Sequence, residues 1–139
     1  MKRTELAYIA GIVDGEGYIG ISADHRKRNP DRPCWRLRVS VTNTNEWLVQ
    51  YLKFSVGGGV IVLKSDKRLR TCYQWQIGYG KAAEFLKLIL PYLQLKRPQA
   101  ELAIKFQASV AKSTRKLTDE QLAVREAQKI LLQEMKLGN

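Results

Sequence analysis

The chain has 139 residues, which suits one domain with an adequate core, and 45% of them are hydrophobic, so the chain is expected to fold. Lysine and arginine total 24 against 13 aspartate and glutamate, a formal net charge of +11. This excess indicates a polyanionic partner, with nucleic acid ahead of an anionic membrane surface. Because no signal peptide or long apolar run is visible, and Cys34 and Cys72 lack the spacing of a metal cluster, we expect a soluble intracellular protein rather than a secreted or membrane-spanning one.

The first predicted element is a helix with Thr4 as its N-cap. Ala7, Gly11 and Asp14 fall at i, i+4 and i+7 and therefore share one face of that helix. Small residues along one face allow two helix backbones to approach closely, so this stripe predicts a helix–helix interface. The alternative is that Ala7 and Gly11 only pack within the chain's own core.

The exit from this helix is acidic and rich in glycine, with the sequence Asp14, Gly15, Glu16, Gly17. Gly15 and Gly17 are predicted to break the helix. Two carboxylates at the C-terminal end of a helix oppose the helix dipole, which favours cations there. A divalent cation such as Mg²⁺, which prefers carboxylate and carbonyl oxygens, would resolve that conflict. The alternative is that Glu16 is a solvated turn residue.

Two predicted strands follow, joined by a basic loop at residues 25–33. Apolar and polar residues alternate in both strands, at residues 18–24 and 34–42, which is typical of a sheet with one buried face. The residues predicted to face the core are Ile19, Ile21, Ala23, Trp35, Leu37, Val39 and Val41.

The second half of the pattern repeats this order of helix and paired strands. Asn43, Thr44 and Asn45 are predicted to cap a helix that the glycines at 57–59 end. Its predicted apolar side is Trp47, Leu48, Tyr51 and Leu52. Strands follow at residues 60–65, with Ile61 and Leu63 inward, and at 70–79, with Tyr73, Trp75 and Ile77 inward.

Helices occupy the rest of the chain. One is predicted at residues 80–90, another begins at Pro98, and a capping box at residues 118–121 precedes the last, at 122–137. Paired strands joined by hairpins indicate an antiparallel sheet, so the predicted class is α+β, in a single domain covering residues 1–139.

The polar face of the predicted sheet is basic and is flanked by basic loops, which favours DNA. Arginine reads guanine and glutamine reads adenine through paired hydrogen bonds in the major groove. We predict base contacts from Arg36, Arg38, Gln74 and Gln76, and mostly phosphate contacts from the loops. The full predicted DNA-binding set is Ser22, Asp24, Arg26, Lys27, Arg28, Arg36, Arg38, Ser40, Thr42, Lys64, Lys67, Arg68, Arg70, Gln74 and Gln76.

Residues 9–17, IAGIVDGEG, resemble the LAGLIDADG signature of the homing endonucleases. Each position matches by residue or residue class except Gly15, where the pattern has alanine and often accepts glycine, and Glu16 replaces the second aspartate with another carboxylate. The resemblance implies an αββαββα core, a motif helix at a dimer interface, and a sheet laid into the major groove. It also implies double-strand cleavage across the minor groove, leaving 3′ overhangs.

The resemblance further implies roles for individual residues. Glu16 matches the acid that binds Mg²⁺ (or Mn²⁺), with the Gly15 carbonyl as its helper. Asn43 falls where the family places a polar residue that positions water, and Lys96 resembles the active-site lysine. The alternatives are a helix cap for Asn43 and a surface lysine for Lys96. A basic residue that the family often has near the start of the second helix has no counterpart at Asn45.

One motif per chain predicts a symmetric homodimer, with Ala7, Gly11 and Asp14 at its interface, and a near-palindromic double-stranded DNA target. Two other functions stay open on the same scaffold. One is a maturase that binds its host intron RNA, and the other is a DNA-binding regulator that does not cut.

Overall fold

Alternating strands and amphipathic helices assemble into an α+β fold in the computed structural model, which describes residues 1–26, 29–63, 71–112 and 117–137. The elements are α1 (Arg3–Glu16), β1 (Gly17–Arg26), β2 (Asn29–Asn43), α2 (Glu46–Val56), β3 (Gly59–Leu63), β4 (Cys72–Gly78), α3 (Tyr79–Ile89), a 3₁₀ turn (Leu90–Tyr92), α4 (Arg97–Lys112) and α5 (Asp119–Leu137). The predicted fold class is confirmed.

The four strands form one antiparallel sheet in the order β1-β2-β4-β3. Alternation places apolar residues on one face, where Ile19 pairs with Val39 and Val41 pairs with Trp75. Val39, Val41 and Trp75 are all fully buried. The opposite face carries the polar residues of β1, β2 and β4, so the two-faced pattern predicted from the sequence is confirmed for these three strands.

Helices cover the apolar face. Ile9, Ala10 and Val13 of α1 are fully buried, and the Phe85 ring of α3 lies edge-on to the Trp75 ring with centroids 5.2 Å apart. The predicted capping box before α5 is present, because the Thr118 hydroxyl accepts the Gln121 N–H at 3.2 Å and the Gln121 side chain accepts the Thr118 N–H at 3.0 Å. Within the described ranges, none of the helices is both long and apolar enough to cross a bilayer.

The prediction for β3 is wrong about which side chains face inward. Ile61 is 41% exposed and lies opposite Gln74, whereas Val60 lies opposite the buried Trp75. Directly paired residues point to the same face of a sheet, so Val60 takes the core face and Ile61 the polar face. The sequence GVIVL has three consecutive β-branched residues, so hydrophobicity alone does not choose between the two faces.

The limits of β1 and β2 and the buried side of α2 also differ from the predictions. The basic loop predicted at residues 25–33 is mostly strand, because β1 runs to Arg26 and β2 starts at Asn29. Trp47, predicted on the apolar side of α2, is 61% exposed and stacks on Tyr51 at 5.2 Å. Val49 is buried instead, because nearly every residue at the start of α2 is apolar and the sequence leaves its buried side undetermined.

Candidate active site

Helix α1 differs from its prediction in two details, one at each end. The N-cap is Lys2 rather than Thr4, and the helix continues through Gly15 to Glu16. It ends at Gly17, whose φ of −80° is one that any residue adopts. Glycine is needed at 17 for space, because a Cβ there would lie 2.6 Å from the Val13 carbonyl oxygen.

Asp14 faces the start of α4. Its carboxylate accepts three backbone N–H groups, from Gln94 at 2.8 Å, Leu95 at 3.2 Å and Lys96 at 3.0 Å. An anion is disfavoured at the end of its own helix α1 but is favoured at the N-terminal end of α4. The Asp14 carboxylate is thus engaged within its own chain, and the predicted place of Asp14 at a dimer interface stays a prediction.

Lys96 makes the complementary contact in the other direction. Its ammonium donates to the carbonyl oxygens of Val13 at 3.0 Å and Asp14 at 2.7 Å, which are among the last four carbonyls of α1. Burial lowers the pKa of Lys96, and the nearby Asp14 partly offsets that shift. We call this reciprocal arrangement the crossed caps: Asp14 of α1 caps α4, and Lys96 at the start of α4 caps α1.

Glu16 and Asn43 are brought together, although 27 residues separate them in the chain. The Asn43 amide nitrogen donates to Glu16 Oε2 at 2.6 Å, and the Asn43 side-chain oxygen accepts the Asn45 N–H at 2.7 Å. The second contact fixes the orientation of the amide, because only its oxygen accepts a hydrogen bond. Asn45 itself is the N-cap of α2 and accepts the Trp47 N–H at 3.0 Å.

The remaining stripe residues of α1 lie on the surface of the chain. Ala7 and Gly11 are exposed, and a Cβ placed on Gly11 would meet nothing within 4 Å among the described residues. They line an open groove of about 520 Å³ together with Gly15, Glu16 and Leu48. The groove therefore runs directly into the acidic end of the helix.

The open face of the sheet is the polar face formed by all four strands. Its rows pair Ser22 with Arg36, Thr42 with Gln74, and Gln76 with Gly59. The Gln74 amide donates to the Thr42 hydroxyl at 3.1 Å, which orients the glutamine side chain. Among the predicted DNA-binding residues, Ser22, Arg36, Arg38 and Thr42 are exposed and Gln74 and Gln76 are half-buried.

The prediction that Ser40 contacts DNA is wrong, because Ser40 is only 3% exposed. It lies between Tyr18 on β1 and Gln76 on β4, whose longer side chains leave little of the Ser40 hydroxyl accessible. Asp24 and Arg26 lie in β1. The remaining predicted residues, Lys27, Arg28, Lys64, Lys67, Arg68 and Arg70, lie outside the described residues.

Three residues near this face were not among the predicted DNA-binding residues. Tyr18 shares the open face, and its only signal was its place on the polar side of the β1 alternation. Ile61 reaches the same face because β3 pairs in the unexpected register. Lys136 of α5 lies with its ammonium 3.5 Å from the Tyr18 ring centroid, a contact across the chain that no local pattern indicates.

An antiparallel sheet with an open basic face, joined to a helix that ends in an acid, defines the class of fold found in the homing endonucleases. The homing endonuclease I-CvuI in complex with a DNA target superposes with a TM-score of 0.80 at 21% identity, covering 96% of this chain and 82% of that one. The archaeal intron-encoded homing endonuclease I-Vdi141I, complexed with DNA, superposes with a TM-score of 0.78 at 16% identity over 95% of this chain and 84% of that one.

The sequence comparison leads to the same class. The chain is 30% identical to the DNA endonuclease I-CvuI of Chlorella vulgaris over 106 residues. This alignment covers 73% of the present chain and 63% of the length of I-CvuI. No family model matches the sequence. The motif, the fold and this similarity agree: the chain has the fold of the LAGLIDADG homing endonucleases and is similar in sequence to one DNA endonuclease.

Proposed function

We propose that this protein is a site-specific endonuclease that hydrolyses both strands of double-stranded DNA with the help of a divalent metal ion. The observation that carries the proposal is the position of Glu16. Its carboxylate lies at the C-terminal end of α1, exposed, and held by the Asn43 amide at 2.6 Å. The open face of the sheet, with exposed Arg36 and Arg38, begins directly after it at β1.

The electrostatics of the helix end favour a cation beside Glu16. The charge of Asp14 is matched by three N–H groups at the start of α4, and the Val13 and Asp14 carbonyls are matched by Lys96. Glu16 receives a neutral amide donor from Asn43, which compensates a full negative charge less well than a cation does. A hard divalent cation would complete the arrangement.

The donor atoms fit Mg²⁺ (or Mn²⁺), although one chain supplies only part of a ligand set. Glu16 offers a carboxylate and Gly15 a carbonyl in the last turn of α1, both hard oxygen ligands. The described residues contain no group of three His, Cys, Asp or Glu side chains able to hold a metal. The remaining ligands would come from water, DNA phosphate and a second chain. When bound, the ion acidifies a water molecule and neutralises the phosphate.

Lys96 and Asn43 would assist from fixed positions. The Lys96 ammonium donates two of its three N–H groups to α1 carbonyls. The third N–H group stays available for a phosphate oxygen that gains charge in the transition state. Asn43 fixes the Glu16 carboxylate and, through it, would orient the attacking water. Both side chains are pre-positioned, because contacts already formed in the chain hold each of them.

A homodimer follows from the need for two cuts. Ala7 and Gly11 leave the backbone of α1 accessible along the groove that ends at Glu16, so a second α1 packed there would bring two carboxylates together. The chain also matches only 43% of the length of the LAGLIDADG homing endonuclease I-SmaMI, bound to DNA, with a TM-score of 0.67 at 22% identity over 89% of this chain. The part of I-SmaMI that this chain does not match is long enough to hold a second domain of the same size. A symmetric dimer would read a near-palindromic target.

The test is cleavage of a library of random DNA duplexes in Mg²⁺, with binding measured in Ca²⁺. Discrete cuts at one long site support the endonuclease. Selective binding without cutting in Mg²⁺ or Mn²⁺ identifies a regulator, and preferential binding of structured intron RNA over every duplex identifies a maturase. Either of these last two results overturns the proposal.

A further inference from the structure

The Tyr18 ring lies over Gly20 on the open face of the sheet. Tyr18 is 42% exposed, and a Cβ placed on Gly20 would overlap its ring. The ring therefore covers the position of a side chain two residues along β1, where only glycine leaves room for it. This geometry makes the ring a platform at the end of the strand nearest to α1 and Glu16.

Two cations from different elements meet at that ring. The Lys136 ammonium of α5 lies 3.5 Å from the ring centroid, and the Arg38 guanidinium carbon of β2 lies 5.8 Å from it. A ring face attracts cations, most strongly when they are partly desolvated. We call Tyr18, Arg38 and Lys136 the Tyr18 cluster.

The cluster borders a cleft at the crossed caps. The cleft, about 630 Å³, is lined by Asp14, Gly17, Leu95, Lys96, Gln99 and Lys136. Burial, Arg38 and Lys96 together lower the pKa of Lys136 to about 8. Lys96 and Lys136 line the same cleft and repel each other, the nearby Arg38 adds to the repulsion on Lys136, and Asp14 is already occupied by backbone N–H groups. An anion in the cleft would relieve that repulsion.

A buried polar atom also points to a ligand in this cleft. Gln99 is 3% exposed, and its side-chain oxygen has no hydrogen-bond partner within the part of the chain that the structure describes. Buried acceptors are normally paired with a donor. A water that donates one proton to Gln99 and the other to an anion would satisfy both groups.

We propose that the Tyr18 cluster binds a phosphate of the DNA backbone beside the cleavage site, with Lys136 as the phosphate-binding residue and Tyr18 as its positioning residue. The inference rests on the proposed function and adds α5 to the DNA-binding surface. A phosphate fits better than a base edge, because a lysine ammonium is a point charge without the paired donors that distinguish bases.

The first test compares Lys136→Met with Lys129→Met by DNA binding in Ca²⁺ at several salt concentrations. Lys129 is a matched control on the same helix, where it pairs with Glu126 at 3.5 Å. Lys136→Met should weaken binding about tenfold, for specific and random DNA alike. The slope of log affinity against log salt should flatten by about 0.9 for each phosphate that the variant no longer neutralises. Lys129→Met should change affinity less than about twofold, and an equal loss of affinity in both variants would overturn the assignment.

A second variant separates the platform from the charge. Gly20→Ala forces the Tyr18 ring aside without removing any cation, so it should lower affinity and flatten the salt dependence in the same direction as Lys136→Met. Lys136→Arg should restore most of the binding. If the wild-type protein binds and cuts DNA but Lys136→Met and Gly20→Ala match it, the inference fails while the proposed function stands. If the wild-type protein does neither, the proposed function itself fails.

Discussion

Asp14→Asn should destabilise the fold rather than the assembly. The Asp14 carboxylate accepts N–H groups from Gln94, Leu95 and Lys96. An asparagine keeps one acceptor oxygen, which can serve Leu95 and Lys96 more weakly. Its NH₂ group then faces the Gln94 N–H, so that donor is left without an acceptor.

The size of the effect follows from these three contacts. A hydrogen bond to a charged acceptor contributes about 1.5–3 kcal/mol, and these lie near the surface, so we take about 1 kcal/mol each. Losing the Gln94 hydrogen bond and weakening the other two gives a total of about 2 kcal/mol. At a urea m-value of about 2 kcal/mol/M, the unfolding midpoint should fall by about 1 M.

The assay is urea unfolding of Asp14→Asn beside Glu101→Gln at several protein concentrations. Glu101 is an exposed acid on α4, so its change removes the same charge and should shift stability by less than about 0.5 kcal/mol. Sedimentation at low urea should show the same assembly state for both variants and the wild type. The reasoning is refuted if Asp14→Asn unfolds at the wild-type midpoint yet dissociates into monomers, because Asp14 would then lie between subunits.

Four further predictions concern function. Glu16→Gln keeps the shape of the side chain but removes the charge that binds metal, so cleavage in Mg²⁺ should fall to near background while gel shifts in Ca²⁺ show wild-type or tighter binding. Gln74→Ala should cost about 1–3 kcal/mol and relax preference at one position per half-site, measured by selection from a randomised duplex library. Gly11→Trp should separate the subunits through steric clash, so a monomer should appear in sedimentation, and a monomer that still cuts both strands would contradict the dimer. Raising the pH should weaken DNA binding, because the pKa of Lys136 is lowered from an ordinary 10.5 to about 8. Above pH 8 the ammonium of Lys136 in the unbound protein loses a proton, and it must take up that proton again to bind phosphate. Calorimetry in buffers of different ionisation enthalpy should detect that uptake in the wild type and not in Lys136→Met.

The sheet was predictable because alternation is a strong signal when one face is buried. Leu37 and Val39 on β2 follow the pattern residue by residue, and both are buried. The prediction failed at β3, where Val60, Ile61 and Val62 are all β-branched and only pairing with β4 decides which of them faces the core. A pattern without contrast between neighbours carries no information about the face.

The site was predictable only in part, for a different reason. Glu16 and Asn43 were both predicted from the resemblance to the LAGLIDADG signature, and the structure places their side chains in contact. Asp14 shares a helical stripe with Ala7 and Gly11, but its partners lie 80–82 residues away. Helical periodicity predicts in which direction a side chain points, but not which other element of the fold it meets. For the same reason the contact between Lys136 of α5 and Tyr18 of β1 could not be predicted.

The crossed caps connect the metal proposal to the dimer proposal. Asp14 is used by α4, and among the described residues Lys96 reaches only the Val13 and Asp14 carbonyls. The end of each α1 therefore leaves one carboxylate, Glu16, and the Gly15 carbonyl for a cation. Two such donors are too few for Mg²⁺, which holds six oxygen ligands in an octahedron. Metal binding should therefore be weak in an isolated chain and strong only when two chains and DNA complete the set. A Gly11→Trp monomer that bound Mg²⁺ as tightly as the DNA-bound wild type would show that the metal site is complete within one chain, and an incomplete ligand set could then no longer explain dimerisation.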